Sequence, residues 1–247
     1  QDQASDLLGA WLGTGVHCTE MMPLEGGMLN TVLRLAFDRA PFSAVIKLNG
    51  EGKTFDEEAR SLRHMWVRDF RCPEVYLDGV GGDLCPHAFL LLERLPGVHM
   101  GQAGLDDESR DRVERELAEA LAQLHTHTRA GFGAVDGEGV LDWRAAFMPG
   151  LREVRASQEV VSRLPAATLD QVDRAIEAGA TLLADHGVPT LIHGDIWEAN
   201  VMVAEDDDGW HLSGLIDPSA QYADVEMELA YLRSFRASWG AFFDSYT

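Results

Sequence analysis

Two carboxylates, each at the end of a short apolar strand, constrain this chain more than any other feature. Leu191-Ile192 runs into His193-Gly194-Asp195-Ile196-Trp197-Glu198-Ala199-Asn200, and Leu215-Ile216 runs into Asp217-Pro218. The region between returns to short strands with a turn over 205–209, so it reads as a hairpin whose acidic tip is solvated. An Asp followed five residues later by Asn, then a strand-end Asp beyond a hairpin, is the arrangement phosphoryl transfer needs. One carboxylate accepts or orients the proton of an attacking hydroxyl. The amide oxygen and the second carboxylate hold a magnesium ion that bridges nucleotide phosphates. Because magnesium takes hard oxygen ligands and keeps several waters, one carboxylate and one amide suffice as protein ligands.

The upstream half supplies what such a site would lack. Thr31 to Phe37 alternates with period two, Asp38-Arg39-Ala40-Pro41 is a turn signal, and Phe42 to Leu48 is a second β-rich run. This predicts a hairpin with Gly26-Gly27 at its mouth and Lys47 near the end of its apolar second strand. Thr54 is placed to cap a helix from Phe55 to about Arg68. Glu58 on that helix is positioned to fix the Lys47 ammonium. Glu57 competes with it, but Ala59 and Leu62 suggest that the Glu58 face packs inward. Either residue alone would read as solvated surface; the order of glycine pair, strand lysine, helix glutamate, Asp-x4-Asn and Asp carries the argument.

The 247 residues fit one large domain or two lobes. A first helix is expected over Ser5 to Gly13, and strands at Glu74 to Leu77 and Ala88 to Leu92. Beyond Pro96-Gly97 the pattern turns helical: Glu108 to Thr126, Trp143 to Val161 with Pro149 as a kink or break, Leu169 to His186, and Asp224 to Phe235. The expected boundary puts a nucleotide-binding lobe at 1–95, a hinge near 91–96, and a helical lobe with the catalytic loop and metal site at 97–247.

HGDIWEAN followed by IDPSAQYADVEMELA resembles the kinase-like phosphotransferases, and within them the fructosamine (ketosamine) kinases, which read HGDLW-x-GN and then DP-x4-GD-x-E-x-DLA. Gly26-Gly27 with Asn30, the Lys47 strand, Leu91-Leu92-Glu93-Arg94-Leu95 and Leu121 to His125 extend the likeness over nearly the whole chain, although only Leu191 to Ala230 is specific. The resemblance implies an α+β, bilobal protein-kinase-like fold, with a small antiparallel-sheet N-lobe and a mainly helical C-lobe. It implies ATP and Mg2+, with Asp195 as catalytic base and Asn200 and Asp217 as magnesium ligands. Lys47, supported by Glu58, would contact the α/β-phosphates; Gly26-Gly27 would cover the nucleotide; Glu93, Arg94 and Leu95 would offer backbone groups to adenine. Asp224 and Glu226 would brace the catalytic loop. In the family, ATP phosphorylates the 3-hydroxyl of a ketosugar attached to an amine. Ala199, Ala223, Val225 and Glu228 depart from the family pattern, and the family normally carries further helices past the position of Thr247.

Charge narrows the partners. Asp and Glu outnumber Lys and Arg by 41 to 20, leaving −21 with histidines neutral. That disfavours nucleic acid, which needs surplus cations, and anionic membrane; it suits a small-molecule or glycated-amine substrate. Cys18, Cys72 and Cys85 have no CxxC spacing, so reduced thiols in a cytoplasmic monomer or homodimer are expected. Three other readings compete: an aminoglycoside- or choline-type kinase, a catalytically silent nucleotide-binding module, and a hydrolase built on an Asp195, Asp217 and Asp224 cluster.

Overall fold

The computed structural model describes residues 2–24, 30–51, 53–183, 187–234 and 239–247. Gly26 and Gly27 lie outside them, as do the expected helix ends at His186 and Phe235.

The chain opens with α1 (Asp2–Leu12), β1 (Cys18–Pro23), β2 (Thr31–Phe37) and β3 (Ser43–Asn49). Next come α2 (Asp56–Trp66), β4 (Val75–Gly79) and β5 (Ala88–Glu93). The five strands form one antiparallel sheet in the order β1-β2-β3-β5-β4, with Thr31 opposite Leu48 and Lys47 opposite Leu90. Period-two alternation divides β3 between two faces. Ala44 and Ile46 pack with Leu7 and Leu8 of α1 on one side. Val45 joins Leu62 and Met65 of α2 on the other, the side to which Lys47 also points. β1 was not expected as a strand. Its residues beyond Cys18 are exposed at the sheet edge, so no apolar alternation marks it.

β6 (Val98–His99) leads into α3 (Asp107–Leu124), β7 (Gly133–Ala134), α4 (Trp143–Ala156), α5 (Gln158–Arg163) and α6 (Ala166–Leu182). Then follow β8 (Thr190–Ile192), β9 (Val201–Asp206), β10 (Gly209–Leu215), β11 (Gln221–Ala223), α7 (Val225–Ser234) and α8 (Gly240–Ser245). Val113, Leu117, Leu121 and Leu124, one stripe of α3, join Leu191, Val201, Val203, Leu215 and Phe242 in the largest core. Each such side chain contributes roughly 2 kcal/mol by leaving water. Leu90, Leu92 and Leu62 belong to the same cluster, so one continuous apolar interior runs beneath both halves. Gly97 allows the chain to pass: at φ +88° a Cβ there would lie 1.8 Å from the Val203 carbonyl oxygen.

Two helix expectations are corrected. Thr54 does not cap α2; its hydroxyl donates to Asp56 Oδ2 at 2.8 Å, and Phe55 precedes the helix without a side-chain cap. Three acids in the first turn offset the uncapped helix dipole instead. Pro149 does not break the helix expected over Trp143 to Val161, since α4 runs through it on an exposed face. The break falls at Ser157, extended at ψ +143°, whose hydroxyl oxygen accepts from the Val160 N–H and starts α5.

Candidate active site

β8 and β11 explain why the two strand-end aspartates meet. Leu191 pairs with Tyr222 and Ile192 with Gln221, so the segment following Asp217 lies beside the strand that delivers Asp195. The Ser219 N–H donates to the His193 carbonyl at 2.9 Å, closing the two loops on one another. Gly194 makes that approach possible: it sits at φ +85°, and a Cβ there would come within 2.4 Å of the Ser219 carbonyl oxygen. The Ile216 N–H donates to the Asn200 carbonyl at 3.0 Å, which sets Asp217 next to Asn200. Asp217 itself has φ +56°, a left-handed conformation that Asp tolerates better than most residues.

Across from these loops, the Lys47 ammonium donates to Glu58 Oε1 at 2.6 Å and to Asp217 Oδ1. Burial alone would push the lysine down, but the Glu58 and Asp217 carboxylates outweigh it and hold Lys47 above its ordinary value, fully charged. Burial, helped by the negative charge of Asp217, lifts Glu58 despite its lysine partner. Glu58 is therefore the residue that meets Lys47, and Glu57 instead faces a cavity of about 420 Å³ beside α2. That cavity includes Glu58, Pro218 and Gln221 but neither Asp195 nor Asn200, so it flanks the site and is not its centre.

Asp195 is gripped at both carboxylate oxygens. Asn200 Nδ2 donates to Asp195 Oδ2 and to its main-chain carbonyl, each at 2.9 Å, and the Tyr231 hydroxyl donates to Oδ1 at 2.5 Å. Because the Asn200 NH2 is committed in this way, its Oδ1 is left as the acceptor on the opposite side of the amide. Asn200 Oδ1 and the half-exposed Asp217 carboxylate are hard oxygen donors of the kind magnesium takes, so these two residues could hold one. The Lys47 ammonium offsets the Asp217 charge. Among the described residues no group of three or more His, Cys, Asp or Glu could hold a metal ion.

The loop is braced by a residue the sequence reading did not assign. Glu228, 1% exposed, accepts from the N–H groups of His193 at 3.2 Å and Gly194 at 2.6 Å. His125 Nε2 lies 2.8 Å from Glu228, and His125 Nδ1 lies 2.6 Å from the Tyr246 hydroxyl. Burial would raise the Glu228 carboxyl, yet these partners hold it below its ordinary value. Glu226 was expected to share the bracing. Glu226 is exposed, and its N–H donates to the buried Asp224 at Oδ1, 2.9 Å away, at the start of α7. His193, fully buried and pushed down by desolvation, takes the Asp195 N–H on Nδ1 at 3.3 Å and stays neutral. Glu93 turns its carboxylate onto the Glu74 N–H at 3.1 Å; Arg94 and Leu95 follow at the end of β5.

Known proteins carry the same architecture. The chain is 24% identical to "Probable ketoamine kinase" of Staphylococcus aureus (strain NCTC 8325 / PS 47), over 92% of this chain and 77% of that protein. The crystal structure of "Putative fructosamine-3-kinase" from Haemophilus somnus 129PT superposes with a TM-score of 0.74 at 20% identity, covering 98% of this chain and 80% of that one. A thermostable mutant of aminoglycoside phosphotransferase APH(4)-Ia, in ternary complex with AMP-PNP and hygromycin B, gives 0.72 at 20% identity, with 98% and 80% covered. The fold is thus the protein-kinase-like α+β fold of these enzymes. Residues 20–246 match the family described as "Phosphotransferase enzyme family". With that match spanning nearly its whole length, the chain belongs to the phosphotransferase enzyme family, as an ATP-dependent kinase.

Proposed function

We propose that this kinase phosphorylates a hydroxyl of a ketosamine, a ketosugar attached to an amine. The observation that carries the phosphotransfer reading is the meeting of Lys47 and Asp217 beside the Asp195–Asn200 loop. The ketosamine assignment is supported by the curated relatives named as ketoamine kinases and by the Trp197 and Asp217-Pro218 motif positions. The acidic surface suits an amine-bearing acceptor.

In this reading Asp195 takes the proton of the acceptor hydroxyl. The oxygen forms its bond to the γ-phosphorus of ATP as the bond to the β,γ-bridging oxygen breaks, and ADP leaves. Lys47, oriented by Glu58, contacts the α/β-phosphates. Asn200 and Asp217 would hold magnesium, which would supply positive charge to the transferring phosphates. Glu93, Arg94 and Leu95 present backbone groups to adenine, at the junction of a nucleotide lobe at 1–95 and a helical lobe at 97–247. Three unbridged, buried cysteines support a cytoplasmic setting, and no described helix is long and apolar enough to cross a membrane.

The test is ADP release with ATP and magnesium against fructosyl-lysine, ribulosyl-lysine, an aminoglycoside panel and choline. Turnover of a ketosamine, lost in Asp195→Asn, is expected. Turnover of aminoglycosides or choline alone overturns the acceptor assignment, and full activity in Asp195→Asn overturns the base.

A further inference from the structure

We infer that Tyr231 is a positioning residue for Asp195, and that α7 works as a jig holding three successive residues of the catalytic loop. The inference rests on the phosphotransfer reading above. Glu228 and Tyr231 are three residues apart in α7 and so share one face. Glu228 takes the N–H groups of His193 and Gly194, and Tyr231 takes the next residue, donating its hydroxyl to Asp195 Oδ1 at 2.5 Å. One helix thus fixes the backbone at 193 and 194 and the reactive side chain at 195.

The second grip comes from a different element. Asn200 Nδ2 holds Asp195 Oδ2 at 2.9 Å, so the carboxylate is tethered at both oxygens and its plane cannot turn about χ2 without breaking one bond. A carboxylate oxygen has two lone-pair sites. Tyr231 uses one on Oδ1, which leaves the other for the acceptor alcohol. The bond has the length of a charge-assisted O–H···O⁻ contact, roughly twice the strength of a neutral one. Burial and the Asp195 carboxylate push the Tyr231 phenol up to about 12, so at neutral pH it remains a donor and takes no proton from the reaction. Holding the base within a narrow range of orientations is a contribution to rate through alignment, and it leaves ground-state binding of either substrate largely untouched.

Tyr231→Phe removes only the hydroxyl. The expected result is a kcat about tenfold lower, with KM for ATP and for the acceptor within about twofold of wild type and an unchanged melting temperature. An unaltered kcat overturns the inference, as does a loss of kcat accompanied by a matching rise in KM and a lower melting temperature. Proton NMR reads the contact without turnover: a low-field hydroxyl resonance is expected in wild type and absent in both Tyr231→Phe and Asp195→Ala. An active wild type without that resonance sinks the inference alone. A wild type that turns over no acceptor sinks the phosphotransfer reading, and the role of Tyr231 with it.

Discussion

Lys47 and Asp217, 170 residues apart in the chain, meet through the lysine ammonium and Asp217 Oδ1. The contact ties the central strand of the large sheet to the loop that follows the β9–β10 hairpin. It also makes the lysine the hub of the site, since Glu58 holds the same ammonium from α2.

Removing that hub should act on nucleotide use first. Lys47→Ala is expected to lower kcat/KM for ATP about 100-fold or more, because a charged donor aimed at developing phosphate charge is lost. Glu58→Gln keeps the lysine on Asp217 but frees one side of it, so a smaller loss, about tenfold, is expected. An ATP titration of both variants at fixed acceptor checks the order; equal losses would mean that Glu58 does more than orient Lys47.

Divalent-cation dependence follows from the same contact. Chelation of magnesium with EDTA should abolish turnover and leave the melting temperature unchanged, since the Lys47 ammonium is itself an ion-pair partner of Asp217. Asp217→Asn should raise the magnesium concentration for half-maximal rate at least roughly tenfold. A magnesium titration at saturating ATP reads this directly, and an unshifted midpoint would remove Asp217 from the metal site.

Local chemistry was readable from sequence, and long-range partnerships were not. The Asp195-x4-Asn200 loop, the apolar strand end before Asp217, the Lys47 strand and the inward face of α2 each depend on residues within a few positions of one another. Glu228 lies 35 residues from His193 and Tyr231 lies 36 from Asp195, and nothing in an amphipathic α7 marks either side chain as turning to the loop. Of the two residues expected to brace the loop, Asp224 is buried just ahead of α7 and Glu226 is exposed on it, while Glu228 of the same helix takes the loop N–H groups. Only the pairing of β8 with β11 fixes which turn of α7 faces Gly194. Pro149 misled for a physical reason as well: on an exposed helix face, the lost N–H leaves a carbonyl that water can satisfy.

Gly194 is the position where a single methyl group should disrupt the loop. Gly194→Ala adds a Cβ 2.4 Å from a backbone oxygen and forces an L-residue to φ +85°. The left-handed conformation alone costs roughly 1–2 kcal/mol, and the clash displaces Ser219 or the loop itself. Thermal unfolding should show a lower midpoint, and kcat should fall further than the stability loss accounts for, because Asp195 is the next residue. Wild-type kcat in a folded Gly194→Ala protein would contradict the close approach of the two loops.

Glu228 predicts how stability responds to acid. Its carboxyl is held below the ordinary value in the folded protein, so its contribution is fully present above the unfolded-state value of about 4.3. The contribution is lost as pH falls through the lower folded value. Glu228→Gln removes the charge while keeping the shape. At pH 7 it should destabilise the protein by about 2 kcal/mol, the scale of a hydrogen-bonded buried charge, or roughly 4–8 °C in Tm. As pH falls below the unfolded-state value this contribution shrinks, and the two proteins should converge. Denaturant unfolding of both at pH 7, 5 and 3.5 measures the gap. A difference that stays constant across that range would mean that the gap does not come from the ionisation of Glu228.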